Sequence, residues 1–303
     1  MFSRRPAPLL LSLSALFWGG NFVIGRWVHG DIAPFSLTFW RWVVAALILM
    51  PFVWKEVWAH RSEIRKHIGL LFVLALTGMV MFHSFTYIAL RTTTAINAAF
   101  VLASMPMVIP IVSMLVGDEV LNIRQGLGIL VSIIGVGIIV SQGQITVLMN
   151  FAFTPGDLWV LAGVLAWSVY SVLLRRKPES LPPMVLLAST MCLAVVILAP
   201  FYVWEVSKVG GFALSLSNGL VIGYVAVFAS IAAFWCWNTG VARMGANKAG
   251  LFIHLIPLFA SILSIIFLNE SLQMFHIIGI VPILIGIALT TTSRPAMSKS
   301  KEA

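Results

Sequence analysis

The sequence predicts an all-α membrane protein with ten transmembrane helices, arranged as two inverted repeats of five helices each. Three observations predict this fold: an excess of apolar residues, a series of long uncharged stretches and a duplication within the chain. Hydrophobic residues make up 60% of the 303 residues, charged residues make up 10%, and the mean hydropathy is +1.02. A soluble protein of this size needs more polar residues than this to form its surface. We therefore expect the chain to lie in lipid.

The apolar stretches have the length of membrane-spanning helices. Each must cross about 30 Å of hydrocarbon, and an α-helix does so with about 20 residues while it satisfies its own backbone polar groups. The alternating pattern of a transmembrane β-barrel is absent from the sequence. Apolar length and flanking charge predict spans at residues 9–28, 33–54, 68–90, 95–116, 124–142, 157–174, 183–204, 218–240, 248–268 and 273–292.

The positions of the basic residues predict how these spans are oriented. With both termini in the cytoplasm, all of the 19 lysines and arginines lie on the cytoplasmic side except Arg26, Arg41, Arg91 and Lys208. The net charge of +9 is therefore a topology signal, since the basic residues occupy short loops and tails rather than one basic face. We expect a multi-pass protein of a bacterial inner membrane, in contact with lipid and without a nucleic-acid partner.

A duplication relates the two halves of the chain. An odd number of spans in each copy reverses the direction of the second copy, which gives inverted repeats. The sequence thus predicts one integral membrane domain over 1–303, with a first five-helix repeat over 1–143 and a second over 155–303. A shift of 149 positions lays Trp18 on Trp167, and a shift of 151 lays Ala95, Pro106, Glu119, Gly128, Ile134 and Gly135 on Ala246, Pro257, Glu270, Gly279, Ile285 and Gly286.

Aromatic and polar residues at helical spacing predict a solute cavity. Trp18, Asn21 and Phe22 share one face of the first span, and Trp167, Tyr170 and Ser171 repeat that spacing in the sixth. Such faces suit stacking on a planar solute with a few orienting hydrogen bonds. Ordinary packing or an interfacial aromatic belt is the alternative for any single residue. The other substrate-binding candidates are His83, Tyr87, Asn97, Phe100, Trp235 and Asn238.

Charged residues and prolines within the spans are candidates for coupling or gating. His83 and His254 are intramembrane histidines, Arg41 is an arginine well inside a span, and Pro106 and Pro257 are candidates for kinks that act as hinges. Arg41 is equally able to bond helix carbonyls or to extend toward the membrane surface. No aspartate or glutamate lies near the centre of a predicted span, so we do not expect a carboxylate proton relay.

Several short segments resemble one known family. They are the segment 15–22 (Ala-Leu-Phe-Trp-Gly-Gly-Asn-Phe), Arg41, Tyr87–Leu90 followed by Ala95–Ala99, and Pro106 followed by 117–119 (Gly-Asp-Glu). With the ten predicted spans and the duplication, they resemble the EamA-type family of the drug/metabolite transporter superfamily over essentially the whole chain. The aromatic residues of the predicted cavity are also similar to those of bacterial aromatic amino acid exporters. Because the resemblance to this family includes Arg41 across varied substrates, we favour a structural role for it.

We therefore predict a secondary transporter or facilitator that exports aromatic amino acids or similar small amphipathic metabolites by alternating access. The alternatives are a broad-specificity drug or metabolite exporter and a membrane-embedded redox protein or enzyme. Membrane enzymes usually cluster His, Asp or Glu at metal-ligand or acid–base spacing, and the sequence has no such cluster. Cys192 and Cys236 both lie within predicted spans. We thus expect no enzymatic activity, catalytic residue, metal or cofactor, and a monomer or weak homodimer.

Overall fold

The computed structural model describes residues 7–116, 123–149, 154–244 and 251–291, and the regular structure in these ranges is entirely helical. Prolines begin α2, α9 and α10, where the missing N–H costs no helix hydrogen bond. A short 3₁₀ turn, Leu251–His254, precedes α12. The helices are α1 (Ala7–Trp27), α2 (Pro34–Ala59), α3 (Arg61–Lys66), α4 (Ile68–Ala89), α5 (Ala95–Leu102), α6 (Met105–Leu115), α7 (Ile123–Val140), α8 (Ile145–Met149), α9 (Pro155–Leu174), α10 (Pro183–Val209), α11 (216–244), α12 (Leu255–Leu268) and α13 (Met274–Thr291).

Six of the described helices are long and apolar enough to cross a membrane: α1, α2, α4, α9, α10 and the Leu216–Gly240 part of α11. The α5–α6 pair supplies a seventh span if it is one broken helix, bent by 49°. Large apolar side chains such as Leu47, Phe52 and Val196 are exposed on the outer surface, as lipid contact requires. The chain is therefore a multi-pass helical membrane protein. Shorter apolar stretches occur in α7, α12 and α13.

Helix boundaries differ from the predicted spans for local reasons. α2 continues to Ala59 instead of ending at residue 54, because the charged pair that follows contains no helix breaker. The predicted span 95–116 is interrupted between Leu102 and Met105. Pro106 is the second residue of α6, and its missing N–H ends the hydrogen-bond ladder that would continue α5.

Two widened helical turns lie at equivalent positions of the two halves. α4 contains a π turn over Ala75–Met81, and α11 contains one over Val227–Ala232, about 151 positions later. A π turn releases backbone carbonyls from the regular ladder, and these accept from neighbouring helices. Trp42 Nε1 donates to the Met79 carbonyl oxygen in the first turn, over 3.1 Å. In the second turn, the Ala229 carbonyl oxygen accepts hydrogen bonds from side chains of α1 and α2.

α7 and α13 pack closely through small residues. A Cβ added at Gly135 would meet the carbonyl oxygen of Gly279, and one added at Gly286 would meet the carbonyl oxygen of Gly128. Rising residue numbers on α7 thus meet falling numbers on α13, so the two helices run antiparallel. In lipid, where apolar side chains gain little by associating, such close backbone approach is a main source of helix association.

This contact between α7 and α13 is symmetric under the duplication. A shift of 151 positions exchanges the two glycine contacts for each other. It also maps Ser132 onto Ile283, and these two residues are joined by a hydrogen bond at the centre of the contact. The equivalent helices of the two halves are therefore related by a local two-fold axis.

Candidate functional site

A narrow cavity of about 40 Å³ lies between helices of both halves. Since a water molecule needs roughly 10–15 Å³ measured in this way, the space holds only a few waters. The polar groups in its lining include the Asn21 amide, the Thr86 hydroxyl and the His83 ring. Five of the predicted substrate-binding residues line it: Trp18, Asn21, Phe22, His83 and Trp167.

The cavity lies where equivalent surfaces of the two halves face each other. Its lining contains residues that the duplication places on one another. They come from α1 and α9, from α4 and α11, and from the α5–α6 pair and the segment of the 3₁₀ turn and α12. At a shift of 149 the pair is Trp18 with Trp167, and at a shift of 151 the pairs are His83 with Phe234, Leu102 with Ile253 and Met105 with Ile256.

Aromatic rings form much of the cavity wall. The Trp18 ring meets Phe234 edge-on at 5.7 Å and lies 5.5 Å from the Trp237 ring. Trp18 Nε1 donates to the Ala229 carbonyl oxygen in the π turn of α11, over 3.2 Å, which fixes the indole. Trp167 packs on Phe82 with the ring centroids 4.8 Å apart. These rings present flat apolar faces to any solute that enters.

The imidazole ring of His83 brings two nitrogens that can form hydrogen bonds to this wall. Its Nδ1 lies 3.1 Å from the Met79 carbonyl oxygen in the π turn of α4, and its ring meets Trp42 edge-on at 5.1 Å. A carbonyl oxygen only accepts, so Nδ1 carries the hydrogen in this contact. In the neutral ring Nε2 then keeps the free lone pair and can accept a hydrogen bond.

Arg41 lies beside the cavity, completely buried in a polar network. Its Nε donates to the Ser230 hydroxyl over 2.7 Å, and one terminal nitrogen donates to Asn21 Oδ1 and to the Tyr87 hydroxyl, each over 3.0 Å. The other terminal nitrogen donates to the Ala229 carbonyl oxygen, and the Tyr87 hydroxyl donates to Asn21 Oδ1. The network joins α1, α2, α4 and α11. Tyr87 is thus bound to this network rather than placed in the cavity lining.

Other predicted site residues support the wall or lie away from it. Tyr170 packs behind Trp167, with the ring centroids 5.0 Å apart. The Ser171 hydroxyl donates to the Trp167 carbonyl oxygen within the same helix, over 2.8 Å. Phe100 packs on the ring of His276, at 5.3 Å.

The remaining predicted residues do not line this cavity. Trp235 and Asn238 belong to α11, and His254 ends the 3₁₀ turn before α12. The Nδ1 atom of His254 has no hydrogen-bond partner in the part of the chain that the structure describes. Pro257 is buried in the first turn of α12, and Pro106 lies in the first turn of α6, with its side chain outside the described atoms.

A second polar cluster, not predicted from the sequence, joins α9 to the start of α5. Asp157 is completely buried, and its Oδ1 accepts from the Thr93 hydroxyl over 2.6 Å and from Asn97 Nδ2. Asn97 Nδ2 also donates to Thr93 Oγ1, over 3.0 Å. Asn97, a predicted cavity residue, is therefore part of this cluster. Among the described residues no three His, Cys, Asp or Glu side chains are placed to hold a metal ion.

Two glutamates cap the N-termini of helices that are far from them in the sequence. Glu205 of α10 accepts from the Ser36 amide and hydroxyl at the start of α2, over 2.7 and 2.8 Å. Glu270 accepts from the amides of Ala95 and Ile96 at the start of α5, over 2.9 and 3.0 Å. These carboxylates accept from N–H groups of the first helical turn, which have no partner within their own helix.

Comparison with known proteins identifies the family. The model of the EamA-like transporter family matches this chain twice, over residues 5–141 and 154–292. The chain belongs to the EamA-like transporter family. The two matches to the EamA-like family fall on the two halves that the shift of 151 relates, so the predicted duplication is confirmed. Membership in this family also makes the protein a membrane transporter.

Relatives of the EamA-like chain extend over nearly its full length. The uncharacterized transporter YyaM of Bacillus subtilis (strain 168) is 26% identical over 279 residues, which cover 92% of this chain and 91% of that protein. An uncharacterized transporter of Archaeoglobus fulgidus is 28% identical over 292 residues, covering 94% and 97%. The WAT1-related protein At3g02690, chloroplastic, of Arabidopsis thaliana is 24% identical over 281 residues, covering 90% and 66%. A crystal structure of 20% identity shares the fold over 94% of this chain and 96% of its own, with a TM-score of 0.60.

Proposed function

We propose that this EamA-family transporter exports aromatic amino acids or similar small amphipathic metabolites across a bacterial inner membrane by alternating access. The observation that carries this proposal is the cavity lined by equivalent residues of both halves, with Trp18 and Trp167 as a matched pair. In transporters with inverted repeats, the solute site lies at the interface of the repeats near the bilayer midplane. Flat indole faces with a few polar groups suit an aromatic solute that carries polar ends.

We further propose ten spans in two inverted five-helix repeats, over 1–143 and 155–303, with both termini in the cytoplasm. The six long helices, the broken α5–α6 pair and the apolar stretches of α7, α12 and α13 supply ten segments of suitable composition. The antiparallel contact of α7 with α13 supports the inversion, because these are equivalent helices of the two copies.

Transport requires that the cavity widen. Sites that hold small molecules measure roughly 300–1,000 Å³, whereas this cavity measures about 40 Å³. We infer that the structure represents a closed conformation and that the aromatic wall separates when solute enters. The interruption before Met105 and the 3₁₀ turn before Leu255 border the cavity at equivalent positions, so they are suitable hinges for this motion. Their associated prolines are Pro106 and Pro257.

A broad-specificity drug or metabolite exporter is the second candidate function. It is favoured by the lining itself, which is mostly aromatic and aliphatic around the polar groups of Asn21, His83 and Thr86. Apolar pockets discriminate weakly between solutes of similar size, because they reject few functional groups.

Uptake into proteoliposomes tests the proposed function and separates the two candidates. Vesicles containing the purified full-length protein receive labelled tryptophan, phenylalanine, leucine or the planar cation ethidium, with protein-free vesicles as the control. We expect tryptophan and phenylalanine to enter well above the protein-free rate, and leucine and ethidium to stay near it. Equal uptake of ethidium would favour the broad exporter. Absence of flux for both aromatic amino acids would overturn the proposed substrate class.

A further inference from the structure

The Asp157 cluster lies apart from the cavity, and two of its polar atoms have no assigned hydrogen-bond partner among the described residues. Asp157 is fully buried, and Thr93 and Asn97 are each 5% exposed. Both donors in the cluster bond Asp157 Oδ1, as described above. Within the described residues, neither the second carboxylate oxygen, Asp157 Oδ2, nor the amide oxygen, Asn97 Oδ1, has an assigned hydrogen-bond partner. Both of these atoms are acceptors, and the Thr93 and Asn97 donors bond Asp157 Oδ1 instead, so each of the two atoms needs a further donor.

A single proton shared between Asp157 Oδ2 and Asn97 Oδ1 would give both atoms a hydrogen-bond partner. A carboxylic acid and a primary amide can form a paired contact, in which the amide N–H donates to one acid oxygen and the acid O–H donates to the amide oxygen. The first of these two bonds is present, from Asn97 Nδ2 to Asp157 Oδ1. A proton on Asp157 Oδ2 supplies the missing donor, and Asn97 Oδ1 is the acceptor without a partner. We propose that Asp157 is a proton-binding site, paired with Asn97, and that proton binding there is coupled to transport.

In the part of the chain that the structure describes, the Asp157 carboxylate has no cationic partner. Among the described residues no ion pair involves Asp157, and α6, which packs on the same helix, carries no titratable side chain. Burial disfavours the ionised carboxylate, whereas its place in the first turn of α9 favours it through the helix dipole. These opposing effects suit a group that gains and loses a proton. The charged or titratable groups on the surrounding elements are Arg26, Arg91, His83, Tyr87, Glu270 and His276, with Tyr170 on α9 itself.

Thr154 provides a competing account of the cluster. It is the N-cap residue of α9, its side chain makes no capping bond, and its hydroxyl is within hydrogen-bond reach of the Asp157 carboxylate. Rotation of its hydroxyl onto Asp157 Oδ2 would satisfy an ionised carboxylate, although Asn97 Oδ1 would still lack a donor. In that case the cluster would only fasten α9 to α5 and would bind no proton.

Coupling to transport follows from the position of the cluster on α9 and rests on the proposed transport function. Trp167 of the cavity lies ten residues after Asp157 on the same helix, roughly 15 Å along its axis. The protonated pair ties α9 to α5, which leads into the interruption before Met105. In each cycle one proton enters from the water on one side, binds Asp157 Oδ2 and leaves to the other side, so that only an O–H bond forms and breaks.

Infrared spectroscopy tests the proton site without a transported solute. The chain contains three aspartates, Asp31, Asp118 and Asp157. In the D31N/D118N variant Asp157 is the sole aspartate and its cluster is unchanged. Spectra are recorded on this variant in lipid vesicles, with and without ¹³C in the aspartate carboxyl group, from about pH 4 to about pH 9.

We expect a carboxylic-acid band that shifts on ¹³C labelling and disappears as the pH rises. The additional substitution Asn97→Leu should move that titration, because it removes the paired amide. A labelled carboxylate band alone over the whole pH range would overturn the proton site and favour the Thr154 account. A labelled acid band that persists at the highest pH would overturn the coupling, since a proton that never leaves drives nothing.

Transport assays on Asp157→Asn test the coupling itself. The new amide provides a donor toward Asn97 Oδ1, so this variant mimics the protonated state. We expect exchange of labelled for unlabelled tryptophan to continue, while accumulation driven by a pH gradient falls at least about tenfold. The exposed Asp31→Asn is the matched control and should behave as wild type. Gradient-driven accumulation by Asp157→Asn equal to wild type would contradict the coupling. Wild-type vesicles that transport no aromatic amino acid would count against the proposed function, whereas the infrared result would stand by itself.

Discussion

The Ser132 hydroxyl donates a hydrogen bond to the Ile283 carbonyl oxygen, 3.1 Å away and 151 positions later in the chain. The two residues are equivalent in the duplicated halves, so the local two-fold axis passes between them. On either side of this bond, glycines bring the backbones of α7 and α13 together. The contact uses these small residues within one chain, where they serve the packing of the two copies against each other.

Substituting a glycine in this contact should separate the two helices. In Gly135→Ala the new Cβ meets the Gly279 carbonyl oxygen, a backbone atom that cannot rotate away. We expect a loss of about 1–3 kcal/mol in the free energy of unfolding and a lower thermal midpoint in detergent. Gly137→Ala is the matched control on the same helix, because a Cβ there has nothing within 4 Å. Equal thermal midpoints for the two variants would count against this packing.

Removing an indole from the cavity should weaken transport without preventing insertion. Trp167→Ala deletes a ring that packs on Phe82 and Tyr170, and a stacking contact is worth about 0.5–1.5 kcal/mol. We expect the half-saturation concentration for tryptophan to rise up to about tenfold, and His83→Ala to lower flux as well. Trp159→Ala is the control, since this residue lies on the same helix and is 39% exposed. If Trp167→Ala and Trp159→Ala transport alike, Trp167 is only a packing residue.

Arg41 should be required for stability more than for solute recognition. Replacing it with glutamine leaves Asn21 Oδ1 and the Ala229 carbonyl oxygen without their charged donor, and each buried acceptor that loses its donor costs about 1–3 kcal/mol. Lysine should restore little, because its single ammonium does not reproduce the fork that reaches Ser230 and Ala229 together. Thermal unfolding in detergent measures both changes. The exposed Arg91→Gln is the control, and a midpoint for Arg41→Gln equal to that of Arg91→Gln would refute the structural role.

Periodicity and the repeat predicted much of the helical architecture. The apolar stretches predicted the ends of most helices to within a few residues. In lipid an apolar segment of this length must be helical, because only a helix satisfies its own backbone polar groups. The spacing of Trp18, Asn21 and Phe22 placed them on one face, and all three line the cavity. Exact helix ends were less predictable, since charged residues can continue a helix beyond the membrane, as in α2.

Contacts between distant segments were not predictable in the same way. His83 and Tyr87 share a helix face, yet only His83 lines the cavity, because the Tyr87 hydroxyl reaches Arg41 and Asn21. Asp157 reads in the sequence as an ordinary acidic residue at a helix start. Its partners lie 60 and 64 positions away, so only the packing of α9 on α5 identifies it as a buried group.

The opposite orientation of the two copies can be measured directly by cysteine labelling. Cys192 and Cys236 are replaced by alanine, and single cysteines are introduced at Val120 or at its equivalent Ser271, which follow Glu119 and Glu270. Intact cells are then treated with a maleimide that does not cross membranes. We expect Ser271→Cys to react in intact cells and Val120→Cys to react only after the membrane is permeabilised. Reaction of both cysteines from the same side would contradict the inverted arrangement on which the shared cavity depends.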